Sequence, residues 1–260
     1  LFFREEKKRS QYMSIRVSPL IRRKKLKKNS DLCTIVASTK KYYNIISDDY
    51  VAFYNNWVKG RDLFSDRKIK KGYDRVADIV SDAVTPDEKI VDVGCGLGVW
   101  SVLLAQNGAH VTSVDFALNP LRKCNKRARV AHVESRVSTV LADGSSLPFR
   151  KGIFDGALLN WVIEHVPVSQ HTGFLREVSR VIREDGWLVL SDSRWRGQEG
   201  GKEQVQVRDT DEGNCDIYKY FYEPQELQNL ITEEIGVIDH FEMTDYELIC
   251  VARKRKCTYS

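Results

Sequence analysis

Residues 89–100 read KIVDVGCGLGVW, and the three glycines at 94, 96 and 98 decide how the rest of the chain is read. Lys89 to Val93 is a run of β-formers short enough for a buried strand, and Trp100 to Asn107 has the pattern of a helix closed by Gly108. Three bare positions in five residues cost unfolded-chain entropy. They mark left-handed turns or the close approach of a ligand to the main chain. Strand, glycine loop and helix is the order of a nucleotide-type site. A dinucleotide fingerprint requires G-x-G-x-x-G, with its third glycine where helix and strand pack. Here the spacing is G-x-G-x-G and Val99 holds that third position, which argues against NAD.

Outward from the loop, His110 to Val114 forms a second short strand ending in Asp115, where a carboxylate can accept hydrogen bonds from both ribose hydroxyls of an adenosine. Ala142-Asp143-Gly144 follows a third strand, and a fourth strand leads into FDGALLNWVIEHV at 154–166. In these four segments the chain resembles the class I S-adenosylmethionine-dependent methyltransferases. Within them it is most similar to the large subgroup that methylates quinones, other small metabolites and some tRNA bases. The resemblance covers roughly residues 70–192.

What the resemblance implies can be placed residue by residue. Gly94, Cys95, Gly96 and Gly98 let the chain pass beneath the amino-acid and ribose portions of the donor, with Cys95 as a small residue within the loop. Asp92 orients either the loop or the donor ammonium. Asp115 takes the ribose; as a strand-end acid facing outward it is expected to contribute little to packing. Phe116 flanks the adenine or belongs to the core. Asp143 accepts from the adenine amine with the backbone around Gly144 beside it, or closes an Asx-turn. The main chain at Asn160 and Trp161 holds the methionine part.

Glu164-His165 follows directly. Some members of the family carry E-x-x-E-H here and use the set with a metal, but Trp161 stands at the first acid position. No metal site is expected. His165 beside Glu164 is the candidate general base, with an anchor for the turn at Val166-Pro167 as the alternative.

Alternating strands and helices predict a parallel sheet with right-handed crossovers. A helix is expected over 72–84, and strands over 136–141, 153–159 and 186–191. Phe174, Leu175, Val178, Val181 and Ile182 form an apolar helical stripe. A helix near 223–233 starts at Pro224, and two strands follow near 236–242 and 245–253. The resemblance implies an α/β, Rossmann-like three-layer sandwich with a seven-stranded, mostly parallel sheet whose last strand is antiparallel. Residues 1–39 read as a basic, flexible arm and 40–260 as the methyltransferase domain, with 194–222 as a long, mobile substrate-side loop. Tyr50, Tyr54 and Trp57 are candidates for a lid. Residues 1–12 precede the first methionine, Met13, and are read as untranslated or non-native.

The chain has 260 residues and net charge +5, distributed as +9 over residues 1–28 and −4 over the remainder. The cluster RRKKLKK at 22–28 suits phosphates, a localisation signal or a solvated tail. Six cysteines show no metal-ligand spacing and read as reduced thiols. No apolar run approaches the roughly 18 residues of a membrane span. These features place the protein in the cytoplasm. The expected activity is methyl transfer by in-line displacement to a small-molecule acceptor. The alternatives are an RNA methyltransferase that uses the basic arm for phosphates, and a non-catalytic donor-binding subunit. The sequence carries no signal for an oligomeric state.

Overall fold

A computed structural model describes residues 22–25, 32–45 and 67–256. In chain order the elements are β1 (Arg22–Lys25), α1 (Leu32–Ile45), α2 (Arg67–Ala83), β2 (Lys89–Val93), α3 (Val99–Gln106), β3 (His110–Asp115), α4 (Leu118–Val130), β4 (Val137–Leu141) and β5 (Phe154–Asn160). Then come α5 (His171–Val181), β6 (Ile182–Ser193), β7 (Glu203–Thr210), β8 (Gly213–Tyr220), α6 (Pro224–Glu234), β9 (Gly236–Met243) and β10 (Glu247–Lys254).

Seven strands form one sheet in the order β4-β3-β2-β5-β6-β10-β9. β2 pairs in parallel with β3 and β5, β3 with β4, and β5 with β6. β10 runs antiparallel to both β6 and β9. The expected sheet is therefore borne out, including its antiparallel last strand. Successive side chains of a strand face opposite layers. Val91 and Val93 accordingly pack with Phe174, Leu175 and Val178 of α5, whereas Ile90 packs with Val76 and Val80 of α2 and Leu104 of α3. Fully burying such aliphatic groups contributes about 1.5–3 kcal/mol each. The five-residue stripe read for α5 is buried throughout, although Ile182 already opens β6. At the start of α6, Glu223 and Glu226 form a reciprocal capping box around Pro224, which has no amide hydrogen to leave unpaired.

Two expectations are corrected. The stretch 194–222 is not a mobile connection: β7 and β8 form an antiparallel hairpin in full register from Glu203↔Tyr220 to Thr210↔Gly213, and β1 pairs with β7 on its other edge. The boundary between arm and domain does not fall at 39/40 either. α1 runs across it, and Arg22–Lys25, read as flexible, is a paired strand. The second sheet and α1 pack together. Ser38 Oγ accepts from the Asp216 amide at 2.8 Å and Thr39 Oγ1 from the Tyr218 amide at 3.3 Å. At its end, α1 is latched to α4 by two hydrogen bonds between Asn44 and Asn119, at 3.1 and 3.0 Å. The lid candidates Tyr50, Tyr54 and Trp57, and Met13 with residues 1–12, lie outside the described residues.

Candidate active site

The carboxyl ends of β2, β3, β4 and β5 converge where the strand order reverses, which is where open α/β sheets hold ligands. Two cavities lie there. The smaller, about 230 Å³, is walled by the glycine loop, Asn160, Trp161, Glu164 and His165. The larger, about 550 Å³, is walled by Asp143, Gly144 and residues of α1. Gly94, Asp115, Phe116, Val162 and His165 line both, so one extended ligand can occupy the two together.

The glycine loop is fixed from within. The amides of Gly94 and Cys95 both donate to the Val114 carbonyl, at 2.8 and 2.9 Å, and the Gly98 amide donates to Cys95 O at 2.9 Å. Asp115 Oδ2 accepts from the Gly96 amide at 2.9 Å and Oδ1 from the Ala117 amide at 2.8 Å. A loop whose amides are committed in this way cannot cradle a pyrophosphate with them, which supports the reading from spacing. Only one of its glycines leaves room for a ligand. Gly96, at φ +52°, would direct a Cβ into space with no atom within 4 Å, whereas a Cβ on Gly94 would meet Val162 Cγ2 at 2.5 Å. A Cβ on Gly98 would collide with the Cys124 side chain. The clearance read for all three glycines is thus a property of Gly96, and the other two are demanded by packing.

Asp115 is only 6% exposed, so the expectation that it contributes little to packing is corrected: it ties β3 to the glycine loop and to the entry of α4. Burial raises its carboxyl to about 6, against the pull of its amide donors. Each of its oxygens retains a lone pair for a ribose hydroxyl. Asp92 lines neither cavity. It lies beneath the loop, where Ser101 Oγ donates to it at 2.5 Å and Ser113 Oγ donates to Ser101 at 2.8 Å, and burial raises it to about 7. This geometry fits the loop-orienting reading and gives it no access to a donor ammonium. Asp143 closes the expected Asx-turn and still faces the larger cavity. Oδ1 accepts from the Ser145 amide at 2.8 Å in an Asx-turn, and Oδ2 is uncommitted among the described residues of the larger cavity. The carboxylates, the open face of Gly96 and the joined cavities fit an adenosine bearing an aminoacyl sulfonium.

Glu164 and His165 lie on a single 3-10 turn, Ile163–His165, after β5. A carbonyl oxygen can only accept, so His165 Nδ1–H donates to Tyr218 O at 2.9 Å. In the neutral imidazole this leaves the lone pair on Nε2, which lies 2.8 Å from the Tyr43 hydroxyl. Glu164 Oε1 lies 3.3 Å from the same nitrogen and pairs closely with Lys219 Nζ. Burial alone would raise the Glu164 carboxyl, yet the Lys219 ammonium and His165 hold it well below the usual range. Behind it, burial and the Glu164 charge push Asp192 well above its ordinary value, and burial raises Glu247 to about 7. His165 is thus backed by a charged, compensated carboxylate.

Sequence reasoning missed Tyr42 and Tyr43 of α1 and Gln206, Arg208, Ile217 and Lys219 of the hairpin, all in the wall of the smaller cavity. The alternating QVQVR of β7 was the one available signal. Cys95 lines the smaller cavity, and the five described cysteines are free thiols. Among the described residues no group of three acidic, histidine or cysteine side chains is placed to hold a metal, and no helix is long and apolar enough to cross a membrane.

Comparison with known proteins agrees with this geometry. Residues 91–190 match the family model described as a methyltransferase domain. A methyltransferase of Streptomyces halstedii is 36% identical over 118 residues, which span 44% of this chain and 41% of that protein. The demethylmenaquinone methyltransferase of Mycolicibacterium vanbaalenii is 31% identical over 109 residues, 42% of this chain and 43% of its own length. The chain thus spans less than half the length of these two relatives. Among solved structures, the 1,6-didemethyltoxoflavin-N1-methyltransferase of Burkholderia thailandensis, with bound S-adenosylhomocysteine, shares the fold with a TM-score of 0.63 at 19% identity, over 92% of this chain and 98% of that one. Over residues 91–190 the chain is thus similar to methyltransferase domains, and its fold is shared with a methyltransferase that binds S-adenosylhomocysteine.

Proposed function

We propose that the protein transfers a methyl group from S-adenosylmethionine to a small-molecule acceptor, in the cavity bounded by the glycine loop, α1 and the β7–β8 hairpin. The observation that carries this reading is the junction of the two cavities at Gly94, Asp115 and His165, with Asp143 and Gly144 in the wall of the larger and Gly96 and Asn160 in the wall of the smaller. Bound there, the donor supplies an electrophilic methyl group on a sulfonium, open to in-line displacement. Asp143 and the backbone at Gly144 hold the adenine, Asp115 the ribose, and Gly96 with Asn160 the aminoacyl end.

The chain's remaining work is alignment and proton transfer. Positioning of the reacting groups supplies about 7–11 kcal/mol in well-oriented systems, and a general base about 10²–10⁴ in rate. His165 Nε2 accepts the acceptor's proton through the Tyr43 hydroxyl, and Glu164 stabilises the imidazolium that results. α1 and the hairpin roof the site and exclude water. The relatives named above act, by their names, on a demethylmenaquinone and a didemethyltoxoflavin, both small molecules. The free thiols favour a reducing, cytoplasmic setting.

Incubation with donor labelled in the methyl group, together with separate metabolite and RNA fractions, tests the reading. Label is expected in the metabolite fraction. Label confined to RNA would overturn the small-molecule assignment.

A further inference from the structure

The hairpin β7–β8 is buried on both faces, and only one of them is apolar. Val205, Tyr218 and Tyr220 enter the core on one side. On the other, Gln206 and Arg208 of β7 stand beside Ile217 and Lys219 of β8 in the wall of the smaller cavity. The register places Gln206 opposite Ile217 and Arg208 opposite Cys215, so the polar side chains form a stripe along one strand. The stripe is buried at Gln204 and Gln206 and half-buried at Arg208, and a buried polar group is costly unless something meets it.

Within the stripe the charges do not balance. Lys219 is neutralised by Glu164. Arg208 Nη2 donates to Gln206 Oε1 at 2.9 Å, a neutral partner, and no carboxylate pairs with Arg208 among the described residues. That contact satisfies the Gln206 oxygen and leaves its NH₂ group, on a side chain only 5% exposed, as a donor to the cavity. Facing the stripe are Tyr42 and Tyr43, in edge contact at 5.4 Å. The compartment beyond the glycine loop therefore offers an aromatic wall, a base with a fixed lone pair, and one unmatched guanidinium with an amide beside it. A sulfonium donor would add a second positive charge close by.

Resting on the methyl-transfer reading, we propose that the acceptor carries an anionic group, a carboxylate or a phosphate, seated on the Arg208 guanidinium and the Gln206 amide while its nucleophilic atom faces Tyr43 and His165. An arginine fork takes two oxygens of either group side by side. The anion offsets both positive charges, and its distance from the nucleophile decides which molecules fit. Arg208 is thereby the specificity-determining residue of the acceptor compartment.

The test is calorimetric titration of the full chain, saturated with S-adenosylhomocysteine, with benzoate, phenyl phosphate and the neutral benzamide. Both anions are expected to bind and benzamide to fail, and the tighter anion identifies the group. Arg208→Gln should weaken anion binding about 10- to 100-fold, the equivalent of one charge-assisted contact, and Arg208→Lys should retain part of it. Affinity for S-adenosylhomocysteine should stay unchanged in both variants, which also shows that they fold. Equal binding of benzoate and benzamide, absence of saturable anion binding by the wild type, or undiminished anion binding by Arg208→Gln would overturn the proposal. Failure of the wild type to bind S-adenosylhomocysteine would instead sink the underlying methyl-transfer reading, so the two failures are distinguishable.

Discussion

The carboxylate of Asp115 and the amide of Gly96 meet at 2.9 Å, joining the end of β3 to the one glycine of the loop that leaves room for a ligand. One side chain therefore shapes the cradle and faces its occupant.

Asp115→Ala should lower the melting temperature even without ligand, because the amides of Gly96 and Ala117 both lose their acceptor. Leaving buried donors unpaired costs about 1–3 kcal/mol. Thermal unfolding of the ligand-free protein checks this, and a melt indistinguishable from wild type would show that the carboxylate does not hold the loop.

The loop glycines should separate by substitution. Gly96→Ala meets open space, so its cost to the fold is the left-handed backbone alone, about 1–2 kcal/mol, while donor affinity drops at least about tenfold as the Cβ enters the cradle. Gly98→Ala collides with Cys124 and should destabilise more. Paired melts and donor titrations read both effects. Equal melting temperatures for the two variants would contradict the assignment of separate roles.

Burial raises Asp92 to about 7 in the folded chain. A carboxyl with a raised folded pKa contributes stability that is fully present below its unfolded value, near 4, and is lost as pH rises through the folded value. Asp92→Asn keeps an acceptor for Ser101 and removes the ionisation. The stabilisation it brings should be about 2–3 kcal/mol larger at pH 8 than at pH 5. The same change in melting temperature at both pH values would show that Asp92 does not titrate in this window.

His165→Gln should reduce turnover about 10²–10⁴-fold with donor affinity within about twofold of wild type, and Tyr43→Phe should reduce it less. Steady-state rates with saturating donor check the pair, and undiminished turnover in His165→Gln would move the base to another residue.

Much of this site was legible because its signals are local. β2, the glycine loop and Asp115 occupy 27 consecutive residues, 89–115, and their periodicity is uninterrupted by tertiary demands. The hairpin was missed for a physical reason. Gln204, Gln206 and Arg208 alternate with Val205 and Val207 as in any half-exposed strand, but they lie within charged, glycine-rich sequence, and Gln206 and Arg208 turn to a cavity. The pairing of Glu164 with Lys219, 55 residues apart, follows only from the docking of β8 against the turn Ile163–His165. The lid was sought among the aromatic residues after position 45, whereas α1 places Tyr42 and Tyr43, the last aromatics of the helix, against the site.

The most direct measurement is calorimetric titration of wild type and Asp115→Asn with S-adenosylhomocysteine, and of wild type with NAD. The account predicts one saturable site per chain for S-adenosylhomocysteine, an affinity at least about tenfold weaker in Asp115→Asn, as expected for loss of a charged acceptor, and no heat from NAD. Binding of NAD in place of S-adenosylhomocysteine, or equal affinity in the two proteins, would contradict it.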